Sequence, residues 1–138
     1  MSTVLLVEDD LANRTLVEDM FEFDNLGAEL QCAASAEEAM ALAPDLQPIL
    51  VLMDVRLPGI DGLEAARLLK NDPRTRHIPI WAVTAYAMTE DRGKALAAGC
   101  DDYITKPFDA GALKERLRQF LGQHTAAIVG KQEGDAPR

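Results

Sequence analysis

Four places in this chain turn polar directly after a short apolar run, and the residues found there could do chemistry together. Val4–Val7 is followed by Glu8-Asp9-Asp10, Ile49–Met53 by Asp54, Ile78–Val83 by Thr84-Ala85, and Tyr103–Thr105 by Lys106-Pro107. Taken singly each has an ordinary explanation: Asp10 reads as a helix cap, Thr84 as a loop hydroxyl and Lys106 as a solvated charge. Taken jointly they are harder to dismiss. Carboxylates gathered on one rim would repel and raise one another's pKa unless a cation sat among them. Hard oxygen donors with room for water suit Mg²⁺ better than any softer metal. A hydroxyl and an ammonium beside that cation then call for an anion. A metal-bound anion held by a hydroxyl and a lysine, next to a carboxylate, describes a phosphoryl group on its acceptor.

Such a rim requires elements that deliver these residues to one place. The runs Val4–Val7, Ile49–Met53 and Ile78–Val83 are apolar almost throughout, the texture of strands buried on both faces of a parallel sheet. Glu29–Ala33 alternates polar and apolar as an edge strand does, and Tyr103–Thr105 is a short fifth strand. Helical patterns lie between them. Leu16, Val17, Met20 and Phe21 form one stripe, and Leu113, Leu117, Phe120 and Leu121 the clearest one. Ser35-Ala36-Glu37-Glu38 reads as a capping box opening a helix that Pro44 closes nearby. Helices are also predicted over Gly62 to Asn71 and Thr89 to Ala98, with Asp109 capping the last one.

Five β-α units in strict alternation predict an α/β fold: a doubly wound, five-stranded parallel sheet with helices on both faces. The usual order for such a chain is 2-1-3-4-5, whose switch point falls between strands one and three. Those two strands end in carboxylates. Ligands of open α/β sheets bind at that point, beyond the carboxyl ends of the strands. The domain is predicted to span residues 1–122. After Gly122 the periodicity stops, and 123–138 reads as a flexible C-terminal tail.

Composition narrows the classes of function. The 138 residues amount to one domain, and 23 acidic against 14 basic residues leave a net charge of −9. So acidic a surface repels phosphate backbones and anionic lipid, arguing against direct nucleic-acid or membrane binding. The longest apolar runs fall far short of the roughly 20 residues that a spanning helix needs. No basic leader precedes an apolar stretch. Two cysteines without a Cys/His cluster suit neither a disulfide scaffold nor a zinc site. A reduced, soluble, cytoplasmic domain is the expectation.

The segments Val4–Asp9, Leu52–Gly62, Val83–Ala85 and Tyr103–Pro107, in this order and at these separations, resemble the receiver domain of two-component response regulators, the CheY-like family with its flavodoxin-like fold. The resemblance covers Thr3 to about Leu121. It implies that Asp54 is the phosphoacceptor, and that Glu8, Asp9, Asp54 and the backbone carbonyl of Arg56 hold Mg²⁺, with Asp9 a direct ligand and Glu8 acting mainly through water. It makes Thr84 the switch hydroxyl, with the Ala85 N–H beside it, Lys106 the phosphate-pairing lysine before a cis Pro107, and Tyr103 the switch aromatic. It further implies a histidine kinase or histidine phosphotransfer protein as donor, and a downstream protein target that reads the face of the fourth helix, fifth strand and fifth helix. Glu8 stands where Asp is commoner.

Other readings fit less well. A haloacid-dehalogenase-type phosphatase places a second Asp two residues after its nucleophile, where this chain has Arg56. A dinucleotide-binding domain needs a glycine-rich turn where Glu8-Asp9-Asp10 stands. Within the family a stand-alone regulator is favoured. The alternative is a receiver from a hybrid histidine kinase acting as a phosphorelay intermediate, which Val83–Met88 also resembles. The expected role is therefore a switch that catalyses its own aspartyl phosphorylation and dephosphorylation, rather than a metabolic enzyme. Lys114, Arg116 and Arg118 read as surface cations complementing a helix C-terminus. His77 and His124 lack a phosphotransfer context.

Overall fold

The computed structural model describes the chain apart from Met1, Pro58, 85–88, 106–109 and 136–138, and apart from the side chains of 89–91, 110 and 124–135. Its elements run β1 (Thr3–Val7), α1 (Leu11–Phe23), β2 (Glu29–Ala33), α2 (Ala36–Leu46), β3 (Leu50–Asp54), α3 (Gly62–Asn71), β4 (Ile80–Thr84), α4 (Thr89–Ala97), β5 (Asp102–Thr105) and α5 (Ala110–Asp135). The five strands form one parallel sheet in the order β2-β1-β3-β4-β5, as the alternation predicts.

Burial explains why the runs differ in texture. Every residue of β3 and β4 is buried, because both faces of the sheet are covered at its centre. β2 and β5 are edges and keep exposed positions. Alternation along each strand divides the apolar residues between two cores. Leu5, Val7, Val51, Met53, Ile80 and Ala82 face α2, α3 and α4. The helices meet them mainly through alanines (Ala36, Ala39, Ala43, Ala65, Ala66, Ala95), so their backbones approach the sheet closely. Val4, Leu6, Leu50, Leu52, Trp81 and Val83 face α1 and α5, whose Val17, Met20, Leu113, Leu117 and Leu121 are larger. Leu117 is wholly buried there, and truncating it to Ala costs about 2–5 kcal/mol.

Caps account for where helices begin. Asp10 accepts the Asn13 N–H at 3.1 Å, and Asp61 the Glu64 N–H at 2.8 Å. Ser35 Oγ accepts the Glu38 N–H at 3.1 Å, while Glu38 reaches back to the Ala34 N–H rather than to that of Ser35. Asp109 lies outside the described residues.

Two helix ends have particular physical causes. α2 closes at Leu46, two residues past Pro44. Gln47 at the C-cap takes a left-handed conformation and donates its N–H to the Ala43 carbonyl, while its side chain donates to the carbonyls of Pro44 and Arg74. These bonds satisfy the end of the helix despite the donor that proline lacks. α5 runs past Gly122, the expected end of the domain, to Asp135. A single glycine costs a helix only about 1 kcal/mol, too little to end one by itself.

Cys32 on β2 and Cys100 before β5 stand at opposite edges, and both are free thiols. Burial, and next the charges of Glu18 and Asp101 respectively, push each up to about 11, so both stay protonated near neutrality.

Candidate functional site

The sheet delivers its polar residues to one end. Backbone pairing continues one residue beyond β1, where the Glu8 N–H donates to the Ala33 carbonyl at 3.0 Å, so Glu8 leaves the strand in a fixed direction. It is buried, and its carboxylate accepts the Asp10 N–H at 3.2 Å. Asp54 is the last residue of β3, the adjacent strand, and is only 4% exposed. Asp9 is exposed beside them. One carboxylate oxygen from each of Glu8, Asp9 and Asp54 lies within 4.8 Å of the other two.

Three carboxylates this close resist one another. A pair of unit charges at 4 Å costs about 1 kcal/mol in water and several-fold more where solvent is excluded. Two of the three are buried, which enlarges the penalty. The donor set is all oxygen, one side is open through Asp9, and the arrangement therefore fits a hard divalent cation that keeps water ligands. The residues fit Mg²⁺.

The loop after Asp54 is shaped to keep its carboxylate in place. The Arg56 N–H donates to Asp54 Oδ1 at 3.0 Å, and the Val55 N–H to the Val83 carbonyl at 2.8 Å, which extends the β3–β4 ladder under the site. The chain then returns to begin α3 directly against the strand end. A Cβ at Gly62 would lie 2.0 Å from the Asp54 carbonyl oxygen, so only glycine permits this packing. Gly59 has φ +77°, and a Cβ there would meet the Glu37 carboxylate at 2.7 Å. Glu37 also accepts the Ile60 N–H at 3.4 Å, tying α2 to the loop.

Thr84 ends β4 and is buried. Since Asp54 pairs in register with Val83, Thr84 sits one position beyond the neighbour of the acid. Tyr103 pairs with Ala82 on the other side of β4 and packs, half-buried, against the α2–α3–α4 core. The structure thus brings Glu8, Asp9, Asp54 and Thr84 to the carboxyl end of the sheet, with the Arg56 backbone beside them and Tyr103 two strands from Asp54. Ala85, Lys106 and Pro107 lie outside the described residues.

The roles of Gly62 and Glu37 were missed in the sequence. The only signal for the first was a glycine one residue after an Asp cap. The second comes from a neighbouring helix and has no local signal. The basic residues of α5 have more specific partners than a helix dipole. Lys114 pairs with Asp24 at 3.5 Å, Arg118 donates to the Asp24 carbonyl, and Arg116 lies between the Asp102 carboxylate and the Trp81 ring. Trp81 also meets Phe120 edge to face at 5.4 Å. His77 bonds Gln47 at 2.8 Å, away from the carboxylates. No helix among the described residues is long and apolar enough to cross a membrane.

Residues 4–118 match the family model described as response regulator receiver domain. The polar-differentiation response regulator DivK of Brucella ovis is 40% identical over 120 residues, which cover 87% of this chain and 96% of that protein. Among solved structures, the receiver domain of a sensor histidine kinase from Pseudomonas aeruginosa PAO1, with magnesium coordinated in its active site cleft, superposes with a TM-score of 0.77 at 36% identity, covering 88% of this chain and 98% of that one. The chemotaxis response regulator CheY4 of Vibrio cholerae superposes with a TM-score of 0.79 at 26% identity, covering 87% and 98%.

Proposed function

Because this chain belongs to the response regulator receiver family, a family of two-component signalling proteins, we propose that it is a phosphorylation-activated switch whose acceptor is Asp54. The observation that carries this reading is a buried Asp54 carboxylate meeting Glu8 and Asp9 at the sheet's switch point, with the buried Thr84 on the next strand. The 40% identity to DivK, itself a response regulator, supports a regulator over a receiver from a hybrid kinase.

In the proposed reaction an oxygen of Asp54 attacks the phosphorus of a phosphohistidine on a kinase or phosphotransfer protein. A P–O bond forms as the P–N bond breaks, and the imidazole leaves with the electron pair. The Arg56 N–H holds one oxygen of Asp54 at 3.0 Å and so fixes the orientation of the attacking carboxylate. Glu8, Asp9, Asp54 and the Arg56 carbonyl would hold Mg²⁺, which offsets the charge of an anion arriving among carboxylates. Lys106 supplies positive charge from the chain itself, by ion pairing with the phosphoryl oxygens.

The Thr84 hydroxyl and the Ala85 N–H then donate to the new phosphoryl oxygens. Inward movement of Thr84 opens the space that Tyr103 enters, and the face of α4, β5 and α5 changes for a downstream protein. Residues 1–122 carry this switch, 123–138 lie beyond it, and the protein acts in the cytoplasm without binding nucleic acid or membrane directly. Hydrolysis of the acyl phosphate resets it. Incubation with acetyl phosphate and Mg²⁺ tests the assignment. Wild type gains one phosphoryl group by intact mass and Asp54→Asn gains none; a phosphorylated Asp54→Asn protein would overturn it.

A further inference from the structure

A second candidate surface lies at the opposite end of α1 from the carboxylates. Four large apolar side chains are exposed among the described residues, and Phe23 at 73% is the most exposed of them. It closes α1 beside a loop that turns sharply, with Asn25 and Gly27 both at positive φ. That turn sends Leu26 and Ala28 inward and leaves a hollow of about 240 Å³ lined by Phe21, Glu22, Phe23 and the loop. A larger hollow of about 440 Å³ continues from it between α1 and β2, lined by Glu18, Phe21, Glu22, Ala28, Glu29 and Leu30. The two share Phe21, Glu22 and Ala28 and so adjoin as two parts of one shallow surface groove along α1.

The groove mixes apolar and polar lining, and its charged lining residues are of one sign. Phe21 and Leu30 are half-buried, whereas Glu18, Glu22 and Glu29 are all exposed. No lysine or arginine lines either hollow among the described residues. Glu18 and Glu22 are one helical turn apart, about 6 Å along the axis, a spacing at which like charges destabilise a helix. An exposed aromatic beside such a rim is matched by a segment carrying apolar residues on one face and cations a turn apart at its margins. We propose that this groove docks a basic amphipathic helix of a partner protein.

Its position sets it apart from the phosphorylation site. Glu29 and Leu30 pair with Thr3 and Val4, the first residues of β1, whereas Glu8 follows the last. The groove is thus a constitutive docking surface at the amino end of the sheet, and its affinity is independent of Asp54 chemistry.

The probe is a fluorescein-labelled helical peptide of about four turns, with leucines at i, i+3, i+4 and i+7 and lysines flanking them. It is titrated by anisotropy at low salt, in excess Mg²⁺. Saturable binding is expected, weakened at least about tenfold by Glu22→Lys with Glu29→Lys and about threefold by Phe23→Ser. Asp45→Lys with Glu115→Lys makes the same change in net charge elsewhere and is expected to weaken it by less than about twofold. Amide shifts should concentrate between Glu18 and Leu30. Absence of saturable binding, equal loss in the charge-matched control, or shifts centred elsewhere would overturn the proposal. So would concentration-dependent shifts at the groove without peptide, which would make it a self-association surface.

Discussion

The two ends of this sheet bury polar groups in opposite ways. At the amino end, where α3 meets β4 and β5, the polar groups are paired with one another. Lys70 Nζ donates to the Ile78 carbonyl at 2.7 Å and pairs with Asp101 at 3.0 Å, and the same Asp101 oxygen accepts the Ile80 N–H at 2.8 Å. The buried Thr75 hydroxyl donates to the Leu69 carbonyl at 2.7 Å. At the carboxyl end, Glu8, Asp9 and Asp54 bring like charges within 4.8 Å. The first arrangement lowers the energy of the fold as it stands. The second gathers like charge that a divalent cation can offset. Both ends are ordered by the same strands, so among the described residues the contrast lies in how charges are grouped, and the carboxylate end is the candidate site.

The largest expected effect separates the ends completely. Asp54→Asn keeps the shape of the acid and loses all phosphorylation by acetyl phosphate, whereas Asp101→Asn at the other end keeps wild-type labelling. Comparable labelling in both variants would remove the contrast. Next in size is the cation. Asp9→Ala should weaken Mg²⁺ binding by tenfold or more, about 1.4 kcal/mol, and by more than Glu8→Ala does, since direct ligation is worth more than ligation through water. Calorimetric titration ranks the two. Equal affinity in wild type and Asp9→Ala counts against the site.

Replacing the cation at the amino end should move stability without touching chemistry. Lys70→Met takes a donor from the Ile78 carbonyl and the cation from Asp101, which keeps its bond from the Ile80 N–H, a loss of about 1–3 kcal/mol. The urea midpoint should fall while the rate of phosphorylation stays within twofold of wild type, roughly the scatter of an unrelated surface change. Thr84→Ala makes the converse test: it should still accept phosphate, yet gain no affinity for a partner of the α4–β5–α5 face on phosphorylation. An undiminished gain would refute the relay through Tyr103.

Much of this contrast could be read from the chain before any coordinates. Buried strands announce themselves as unbroken apolar runs, and the polar residue that ends each run is the one delivered to the rim; hence Glu8, Asp54 and Thr84 were legible from one sequence. Strand order came from a rule about doubly wound sheets rather than from any residue. What stayed hidden depends on contacts between distant segments. Nothing local to Gly62 announces the Asp54 carbonyl packed against it. Lys70 has partners eight and thirty-one residues away, which no local pattern signals. α5 extends beyond the point where the apolar periodicity stops, because the penalty of a single glycine is too small to end a helix.

The smallest expected effect concerns how long the carboxyl end stays phosphorylated. Arg56 and Tyr86 stand two residues beyond Asp54 and Thr84, where side chains can flank the path of a water attacking phosphorus in line. Tyr86 lies outside the described residues; Arg56 is exposed, with its N–H already engaged by Asp54. A guanidinium there can attract the phosphoryl oxygens while its bulk crowds out water. Arg56→Ala with Tyr86→Ala should therefore shorten the phosphoryl half-life several-fold, a barrier change of about 1 kcal/mol. Phosphate release is followed after the donor is removed, with Mg²⁺ held constant so that metal affinity does not enter. If the double variant keeps its half-life or lengthens it, both side chains point to solvent, and the lifetime is set by Lys106, Thr84 and the carboxylates alone.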